Sequence, residues 1–407
     1  MNVLILTADA GGGHRSVAKA LAAGFEEVGG ASCSVRVVDF LGGYAPFPLS
    51  RTREVYSFFM RYPRLWSMFY SSTNLRHGWA LNAPAVGLAL EAGMRRLLRD
   101  HEPDVIVATH PLGAAGLANL FYRRRQAIPY YTVVTDFGCV HTWWTYPFGE
   151  LWFAPCQRTA RHLLRSGLPA ERIVVSGYPV HPRFGRRGQP AAEIRRSLGL
   201  EPDRFTGLLI GGAAGVGPLE EIVQALAGEP APWQLIVITG HNHALKERLE
   251  AQADRWAIPV HIDGLVDDMP SRMHAADLLL SKAGPATLSE GLACGLPALL
   301  ISRLPGQEEE DARHFKRLGV AREVASPAEV RAAVAELAAP ASPLREQMLA
   351  NVRRAAPPPA SLDIARQVLE RGSKVTASPI PPLYALKVIE RGARRRLAQG
   401  AVRNWLQ

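Results

Sequence analysis

The sequence predicts an α/β protein with two doubly wound domains, and three observations carry this prediction. Short apolar runs alternate with amphipathic segments along both halves of the chain, which is typical of a parallel sheet covered by helices. A glycine-rich turn joins a strand to a helix in each half. A length of 407 residues also favours two domains, each large enough for its own core.

The N-terminal half begins with a strand, a glycine turn and a helix. The run Val3-Leu4-Ile5-Leu6 precedes Ala10-Gly11-Gly12-Gly13-His14-Arg15, after which apolar residues recur at helical spacing. Consecutive glycines and the N–H groups of a helix start let a ligand approach the backbone closely. His14 then lies at the mouth of a ligand site, or it only caps the helix. Further strands are predicted at 34–39, 104–108, 130–135, 151–153 and 172–175, with helices at about 84–99, 112–125 and 157–167.

The C-terminal half repeats this architecture, with a second glycine loop, Gly211-Gly212-Ala213-Ala214-Gly215-Val216-Gly217, after its first strand. Two such loops suggest a cleft with a ligand on each side. Strands are predicted at 206–210, 234–239, 258–262, 277–281, 297–302 and 320–324, with helices at 327–338, 343–354 and 361–371. We therefore predict an N-terminal domain at 1–182, a linker at 183–203, a C-terminal domain at 204–372 and a basic tail at 373–407, helical over 383–406.

Composition limits the class of protein. No run of 18 or more apolar residues occurs, and the chain opens on a strand pattern instead of a basic and apolar leader. The four cysteines are scattered, which indicates neither a disulfide framework nor a zinc site. We expect a cytoplasmic protein without a membrane span.

The formal net charge of +10 is concentrated in two segments. Residues 41–80 carry +4 and residues 371–407 carry +7, whereas the rest of the chain sums to −1. Charge localised in this way indicates a polyanionic partner, either an anionic membrane surface or nucleic acid.

The first basic segment is also rich in aromatic residues. Arginine and aromatic side chains together suit a segment that lies among lipid headgroups, although a buried aromatic subdomain or stacking on bases would use the same residue types. We expect an anionic membrane and no nucleic acid, because no recognition motif accompanies the segment. The aromatic residues of 41–80 are Tyr44, Phe47, Tyr56, Phe58, Phe59, Tyr62, Trp66, Phe69, Tyr70 and Trp79.

Two more turns of the C-terminal half are typical of a nucleotide site. The run 278–290 reads as a strand, a small-residue turn and a helix start, where a diphosphate would meet bare N–H groups, with Glu290 one turn inside. Another helix start follows at 305–311, where Gln307 and Glu308 provide an amide and a carboxylate. The alternative for 305–311 is an acidic first turn that only stabilises its helix.

Seven motifs in order resemble the family of monogalactosyldiacylglycerol synthases and processive diacylglycerol glucosyltransferases. They are Gly11-Gly12-Gly13-His14-Arg15, residues 62–73, Val134-Thr135-Asp136-Phe137, His141-Thr142-Trp143-Trp144, Gly177-Tyr178-Pro179-Val180, residues 281–290 and residues 305–308. The resemblance covers about residues 2 to 371. It implies a GT-B fold, in which two Rossmann-like domains face a cleft, with the acceptor in the N-terminal half and a UDP-sugar in the C-terminal half. The peptidoglycan lipid glycosyltransferase that adds N-acetylglucosamine is a more distant relative.

The resemblance and the turns together give a set of candidate site residues. His14 and Asp136 are the catalytic candidates: His14 as the base with Asp136 orienting its ring, or Asp136 as the base itself. Donor-binding candidates are Gly212, Gly215, Gly217, Val266, Met269, Gly284, Pro285, Thr287, Glu290, Gln307 and Glu308. Acceptor or membrane candidates are Gly12, Gly13, Trp66, Phe69, His141, Trp143 and Trp144, although the last three could also form an aromatic core corner.

The expected reaction is transfer of galactose or glucose from UDP-galactose or UDP-glucose to diacylglycerol, by a peripheral protein on the inner face of the cell membrane. The sequence lacks an Asp-x-Asp motif, so we expect an inverting reaction without a metal or another cofactor, in which the UDP-sugar is a co-substrate. Transfer to another lipid, such as a polyprenyl-linked precursor or a preformed glycolipid, is an alternative. A non-catalytic lipid-surface protein is a second, but the joint presence of His14, Asp136, Glu290 and Gln307 argues against it.

Overall fold

The chain folds into two α/β units. The computed structural model describes residues 1–9, 12–74, 78–124, 128–186, 188–356 and 359–372. One unit is Met1–Pro179 with the described residues from Pro359 onward, and the other is Val180–Pro358. Each contains a six-stranded sheet, which confirms the predicted class. Gly11 of the predicted turn and the predicted tail at 373–407 lie outside the described residues.

The first unit is a parallel sheet covered by helices. Its strands are β1 (Asn2–Thr7), β2 (Ser34–Asp39), β3 (Val105–Ala108), β4 (Tyr130–Val133), β5 (Leu151–Ala154) and β6 (Ile173–Val175). Its helices are α1 (Gly12–Gly29), α2 (Phe40–Tyr44), α3 (Thr52–Arg61), α4 (Pro63–Thr73), α5 (Gly78–His101), α6 (Gly113–Arg124), α7 (Gln157–Arg165) and, from the end of the described chain, α16 (Ala360–Arg371). The strand order is β2-β1-β3-β4-β5-β6, with every neighbouring pair parallel.

The second unit has the same kind of sheet in another order. Its strands are β7 (Phe205–Ile210), β8 (Trp233–Ile238), β9 (Val260–Asp263), β10 (Leu278–Lys282), β11 (Ala298–Ser302) and β12 (Ala321–Glu323). Its helices are α8 (Ala191–Ser197), α9 (Leu219–Ala227), α10 (His243–Glu250), α11 (Met269–His274), α12 (Pro285–Ala293), α13 (Glu309–Arg317), α14 (Pro327–Ala338) and α15 (Pro343–Arg354). The order β12-β11-β10-β7-β8-β9 is that of a dinucleotide-binding sheet.

Each sheet has one position where the strand order reverses. It lies between β1 and β3 in the first unit and between β7 and β10 in the second. Ligands of doubly wound proteins bind in the crevice beyond the carboxyl ends of the strands at such a switch point, because the connections there leave towards opposite faces. The described part of the first glycine turn, from Gly12 onward, begins α1 after β1, and the glycine loop of 211–217 follows β7, so both lie at switch points.

The prediction that the C-terminal domain extends to residue 372 is wrong. Helix α16 belongs to the first unit, where Ile364 and Val368 are fully buried and the helix packs along α1. A glycine makes this close contact possible: a Cβ added to Gly24 of α1 would lie 2.4 Å from the carbonyl oxygen of Ser361. The sequence pattern predicted an amphipathic helix here. It did not indicate which of the two units the apolar face of that helix packs against.

The predicted linker at 183–203 is also corrected by the structure. The segment lies within the second unit and contains α8. Arg195 of α8 is only 7% exposed; its guanidinium donates to the carbonyl of Ala275 at 2.7 Å and to the carboxylate of Asp277 at 2.8 Å. A buried and paired arginine ties this segment to the sheet, although its polar composition resembles that of a linker.

The aromatic and basic segment at 41–80 folds mainly as α3 and α4, and its aromatic side chains are not all buried. Phe47 is 80% exposed, and Phe58, Tyr62 and Phe69 are about half exposed. Phe59 stacks on Phe69 with ring centroids 5.2 Å apart. The two helices therefore present a continuous apolar surface to solvent, which is uncommon for a surface without a partner. Within the described residues, no helix is both long enough and apolar enough to cross a bilayer.

Candidate active site

His14 lies in the first turn of α1, after Gly12 and Gly13, and its ring has a fixed tautomer. The Nδ1 atom is 2.7 Å from the carbonyl oxygen of Thr109, which follows β3 across the switch point. A carbonyl oxygen can only accept, so Nδ1 carries the proton and donates it. The neutral ring then keeps a free lone pair on Nε2. The arrangement leaves Nε2 able to accept a proton from a ligand.

Two opposing effects set the charge of His14. Burial disfavours the charged imidazolium and lowers its pKa, whereas the nearby Asp136 carboxylate and the hydrogen bond to Thr109 raise it. The desolvation is larger, so the pKa lies below its ordinary value of 6.5. His14 is therefore predominantly neutral at pH 7, which is the state that a general base requires.

Asp136 follows β4 at the same end of the sheet and is held by a tryptophan. The indole Nε1 of Trp144 donates to its Oδ2 at 2.6 Å. Burial raises the pKa of Asp136, while His14 and the Trp144 hydrogen bond counteract that rise. The carboxylate interacts electrostatically with His14, whereas the ring is oriented through Nδ1, which donates to the Thr109 carbonyl and lies 3.2 Å from the Thr135 hydroxyl. A negative charge placed there favours the imidazolium that forms when His14 takes up a proton.

His110 is a second imidazole at the switch point, and sequence reasoning missed it. It lies one residue after Thr109, is buried, and meets the ring of His14 edge to face at 4.9 Å. Burial lowers its pKa well below the ordinary value, and the neighbouring His14 and His141 add to this effect. A signal was present in the sequence, since the polar pair Thr109-His110 ends a buried apolar strand.

The predicted acceptor residues after Asp136 lie inside the first unit. Trp144 is 1% exposed and Trp143 is buried against Ala83 and Ala115. The alternative interpretation, an aromatic core corner, describes the positions of both tryptophans. His141 is half-buried, and both of its ring nitrogens have partners within the protein. Trp66 and Phe69 lie on α4.

The glycine loop of the second unit is a backbone structure that side chains would disrupt. Gly212, Gly215 and Gly217 all have positive φ. At Gly215, φ is +59° and a Cβ would lie 1.9 Å from the carbonyl oxygen of Thr239. Asn242 fixes the loop from outside, because its Nδ2 donates to the Gly215 carbonyl at 3.0 Å while its Oδ1 caps α10. The loop is thus held open beside the switch point.

Lys282 provides a cation beside this loop, and the list of sequence candidates omitted it. Its Cε lies 3.4 Å from the position of a Cβ on Gly212, and its ammonium group pairs with Glu308. Glu308 is 3% exposed, and its other oxygen accepts from the backbone N–H of Leu304 at 2.9 Å. The carboxylate predicted to bind the donor therefore has both oxygens engaged inside the protein, where it positions Lys282.

The remaining donor candidates surround the start of α12. Gly284 precedes this helix, Pro285 opens it and Thr287 lies in its first turn. Burial raises the pKa of Glu290, further along α12, to about 8, so its carboxyl is mostly protonated at pH 7 and can donate as well as accept. The Oε1 of Gln307 is buried without a hydrogen-bond partner among the described residues. An unpaired buried acceptor is costly unless a ligand satisfies it.

Two candidates lie at another edge of this unit. Val266 is in the loop between β9 and α11, and Met269 is the first residue of α11. Both are half-buried. Across the described part of the chain, His, Cys, Asp and Glu side chains nowhere gather in threes in a way that could hold a metal ion.

Family comparisons match both units. The family described as monogalactosyldiacylglycerol (MGDG) synthase matches residues 14–180, and the glycosyltransferase family 28 C-terminal domain matches residues 207–357. Monogalactosyldiacylglycerol synthase 1 of Arabidopsis thaliana is 32% identical over 387 residues, covering 93% of this chain and 72% of the relative. The chain belongs to the monogalactosyldiacylglycerol synthase family. The probable monogalactosyldiacylglycerol synthase 2 of Oryza sativa subsp. japonica is 36% identical over 322 residues, covering 75% of this chain and 67% of the relative.

Solved structures place this member of the MGDG synthase family in the GT-B fold. MurG of Acinetobacter baumannii aligns with a TM-score of 0.56 at 14% identity, covering 91% of this chain and 99% of that one. HepE of Anabaena, crystallised with UDP and glucose, aligns with a TM-score of 0.52 at 17% identity, covering 91% and 98%. At these identities the likeness concerns the fold alone. Together with the family membership, it identifies the protein as a GT-B glycosyltransferase.

Proposed function

We propose that this glycosyltransferase transfers galactose or glucose from a UDP-sugar to diacylglycerol at the cytoplasmic membrane face, making a monoglycosyldiacylglycerol. The observation that carries the proposal is the fixed tautomer of His14, whose Nε2 is free to accept a proton at the switch point of the first unit. Membership of the MGDG synthase family supports the choice of sugar and acceptor.

His14 is the base in this proposal. Its Nε2 takes the proton from the acceptor hydroxyl as that oxygen attacks the anomeric carbon of the sugar. The bond from this carbon to the diphosphate breaks, its electron pair leaves with UDP, and attack opposite the leaving group inverts the configuration. Asp136, held by Trp144, stabilises the imidazolium. Asp136 is thus an electrostatic partner, and His14 is the group that moves the proton.

The second unit stabilises the departing diphosphate. The open glycine loop at 211–217 and the N-terminal end of α12 supply backbone N–H groups, and Lys282 supplies positive charge. Glu290 and Gln307 bind hydroxyls of the donor, which gives the unpaired Gln307 oxygen a partner. With these groups in place the reaction is independent of a metal ion and needs no cofactor.

The exposed surface of α3 and α4 contacts the membrane. Phe58, Tyr62, Met68 and Phe69 form an apolar patch, and each nearby arginine contributes on the order of 1 kcal/mol at an anionic surface. The protein then lies peripherally on the leaflet that holds its lipid acceptor.

The test uses purified protein, vesicles that contain diacylglycerol and anionic lipid, and either UDP-galactose or UDP-glucose. The expected product is a monohexosyldiacylglycerol, identified by mass. Vesicles without diacylglycerol but with a polyprenyl phosphate or a preformed glycolipid serve as competing acceptors. Product formed only with these lipids, or with none, would overturn the proposed acceptor.

The membrane part has its own test, because it can fail while the chemistry stands. Vesicle sedimentation of the protein should weaken as salt screens exposed charge beyond about 10 Å at 0.1 M. Replacing Trp66 and Phe69 by serine should reduce sedimentation and activity on vesicles, and leave UDP binding unchanged. Equal sedimentation on neutral and anionic vesicles would contradict the role of charge.

A further inference from the structure

The C-terminal end of α4 contacts the loop between β4 and β5, which carries Asp136. His141 of this loop makes the contact through hydrogen bonds. The backbone N–H of Trp143 donates to Nδ1 of His141 at 3.3 Å, so Nδ1 is an acceptor. In the neutral ring Nε2 then carries the proton, and it lies 3.2 Å from the hydroxyl oxygen of Thr73, the last residue of α4. His141 thus joins the loop to the helix through both nitrogens.

Two more contacts strengthen this junction between α4 and the loop. The Oδ1 of Asn74 accepts from the backbone N–H of Thr142 at 2.8 Å. The ring of Tyr70 meets that of His141 edge to face at 5.0 Å. The side chain of Thr73 is also fixed on its own helix, where the hydroxyl lies 3.0 Å from the Phe69 carbonyl. The Asn74 and Tyr70 contacts each join one residue near the end of α4 to one residue of the loop.

The same loop turn holds the Asp136 carboxylate. His141 caps a short 3-10 helix, Thr142–Thr145, which includes Trp144. The Trp144 indole donates to Asp136, and its ring centroid is 6.2 Å from that of His14. A displacement at the end of α4 would therefore move Trp144 and, through it, the carboxylate beside the base.

Helix α4 also contributes to the exposed apolar surface. Leu65, Met68 and Phe69 of this helix are 46%, 70% and 48% exposed. One helix of 11 residues thus carries the proposed membrane contact on one side and the junction at its C-terminal end.

We propose that the junction of Thr73, Asn74 and His141 positions Asp136 in response to membrane contact at α3 and α4, so that the site is aligned best when the protein lies on a bilayer. This inference rests on the proposed function. The three residues are positioning residues, because they touch Asp136 only through Trp144. Burial lowers the pKa of His141 to about 4, so the ring is neutral at pH 7 and can keep both contacts of the junction.

The experiment separates membrane binding from catalysis. Thr73→Val removes the hydroxyl at nearly constant volume, and His141→Asn keeps an acceptor for the Trp143 N–H but cannot reach Thr73. We expect both variants to sediment with anionic vesicles and to bind UDP as the wild type does, while kcat with diacylglycerol in vesicles falls at least about tenfold. With detergent-dispersed acceptor the loss should be smaller.

Matched controls make the result specific. Ser72→Ala removes the neighbouring hydroxyl, which donates to the Phe69 carbonyl and takes no part in the junction, and should leave kcat unchanged. Thr73→Ser keeps the hydroxyl that Thr73→Val removes and should therefore have the activity of the wild type. The double variant Thr73→Val/His141→Asn should lose no more than the worse single variant, because both remove one link. If His141→Asn does not fold, Thr73→Val and its serine control carry the test alone.

Failure has two distinguishable forms. Full activity of Thr73→Val on vesicles, or an equal loss with detergent-dispersed acceptor, would overturn the coupling. Absence of vesicle binding or of glycolipid product with the wild type would overturn the proposed function as well.

Discussion

The two switch points of this glycosyltransferase use different chemistry on the same kind of scaffold. At the first, side chains dominate: the buried His110 and the half-buried His14 and Asp136 lie close together, and desolvation shifts the pKa of each. At the second, backbone dominates: a glycine loop and a helix start lie beside one cation, Lys282. This contrast fits the proposed roles, because a proton is exchanged with one atom, whereas a diphosphate spreads its charge over several oxygens.

This difference predicts how the two sites respond to substitution. Loss of the His14 side chain should abolish the function of the first site, since a single nitrogen is proposed to move the proton. At the second site, removal of single side chains should each weaken donor binding in part. Donor binding should be lost only when the backbone of the glycine loop is disturbed.

His14→Ala should reduce kcat by about 10²–10⁴, which is the usual contribution of a general base. UDP affinity should be unchanged, because the nucleotide is proposed to bind the other unit. Steady-state rates and calorimetric titration with UDP measure the two quantities. Unchanged turnover would instead make Asp136 the base.

Gly215→Ala should lower UDP affinity by more than about tenfold. Its φ of +59° strains any other residue, and the new Cβ would meet the Thr239 carbonyl at 1.9 Å. Gly185→Ala is the matched control, because a Cβ there meets nothing within 4 Å. If calorimetry gave both variants native UDP affinity, the loop would not hold the diphosphate.

Glu290→Ala and Gln307→Ala should each raise the KM for the UDP-sugar several-fold and change kcat less. Each loses a hydrogen-bonding group, and one such bond contributes on the order of 1 kcal/mol, or about fivefold. Initial rates at varied donor concentration measure the effect. A native KM in both variants would move the sugar site elsewhere.

The pH dependence of kcat/KM should show an acid limb with an apparent pKa below 6.5. Burial lowers the pKa of His14, so the free base persists to more acidic pH than for an exposed histidine. Asp136→Asn removes the charge that raises this pKa and should shift the limb further to acid. A limb above 6.5 in the wild type would mean that the carboxylate outweighs burial.

Chelation by EDTA should leave activity unchanged, because backbone N–H groups and Lys282 are proposed to stabilise the leaving group. Rates before and after chelation, and after added magnesium or manganese, measure this. Strict dependence on either ion would contradict the proposal. If a metal ion were required, Lys282→Gln should lose little activity. If the reaction is independent of a metal, Lys282→Gln should lose most of its activity.

Much of the fold could be predicted from local pattern, because buried parallel strands appear as short apolar runs and amphipathic helices as apolar residues at helical spacing. Strand Ser34–Asp39 and helices Pro327–Ala338 and Pro343–Arg354 match their predicted bounds. The assignment of α16 to a unit could not be predicted, since it depends on the close approach of Ser361 to Gly24 across the length of the chain.

The sequence could predict which residues are candidates for the site, but it could not predict the hydrogen bonds that they form. His14 stands out because a titratable side chain follows three glycines, and Asp136 because it ends a strand. The nearer partner of the His14 Nδ1 is the backbone carbonyl of Thr109 at 2.7 Å, which any residue at that position would supply, so no sequence pattern identifies it. The second partner is the hydroxyl of Thr135 at 3.2 Å, and this residue does lie in a motif, directly before Asp136. Glu308 shows the converse: its carboxylate looked available for a ligand, yet a lysine 26 positions earlier occupies it.

The return of α16 to the first unit sets the order in which the protein can mature during translation. The face of α1 that α16 covers stays open until all of Val180–Pro358 has been made. At about 5–20 residues per second, that interval is roughly 10–35 s. Helix α1 carries His14 in its first turn, so the unit that holds the proposed base is complete only after α16 has been synthesised. A ribosome-bound fragment that already exposes the apolar surface of α3 and α4 is thus not yet a finished enzyme.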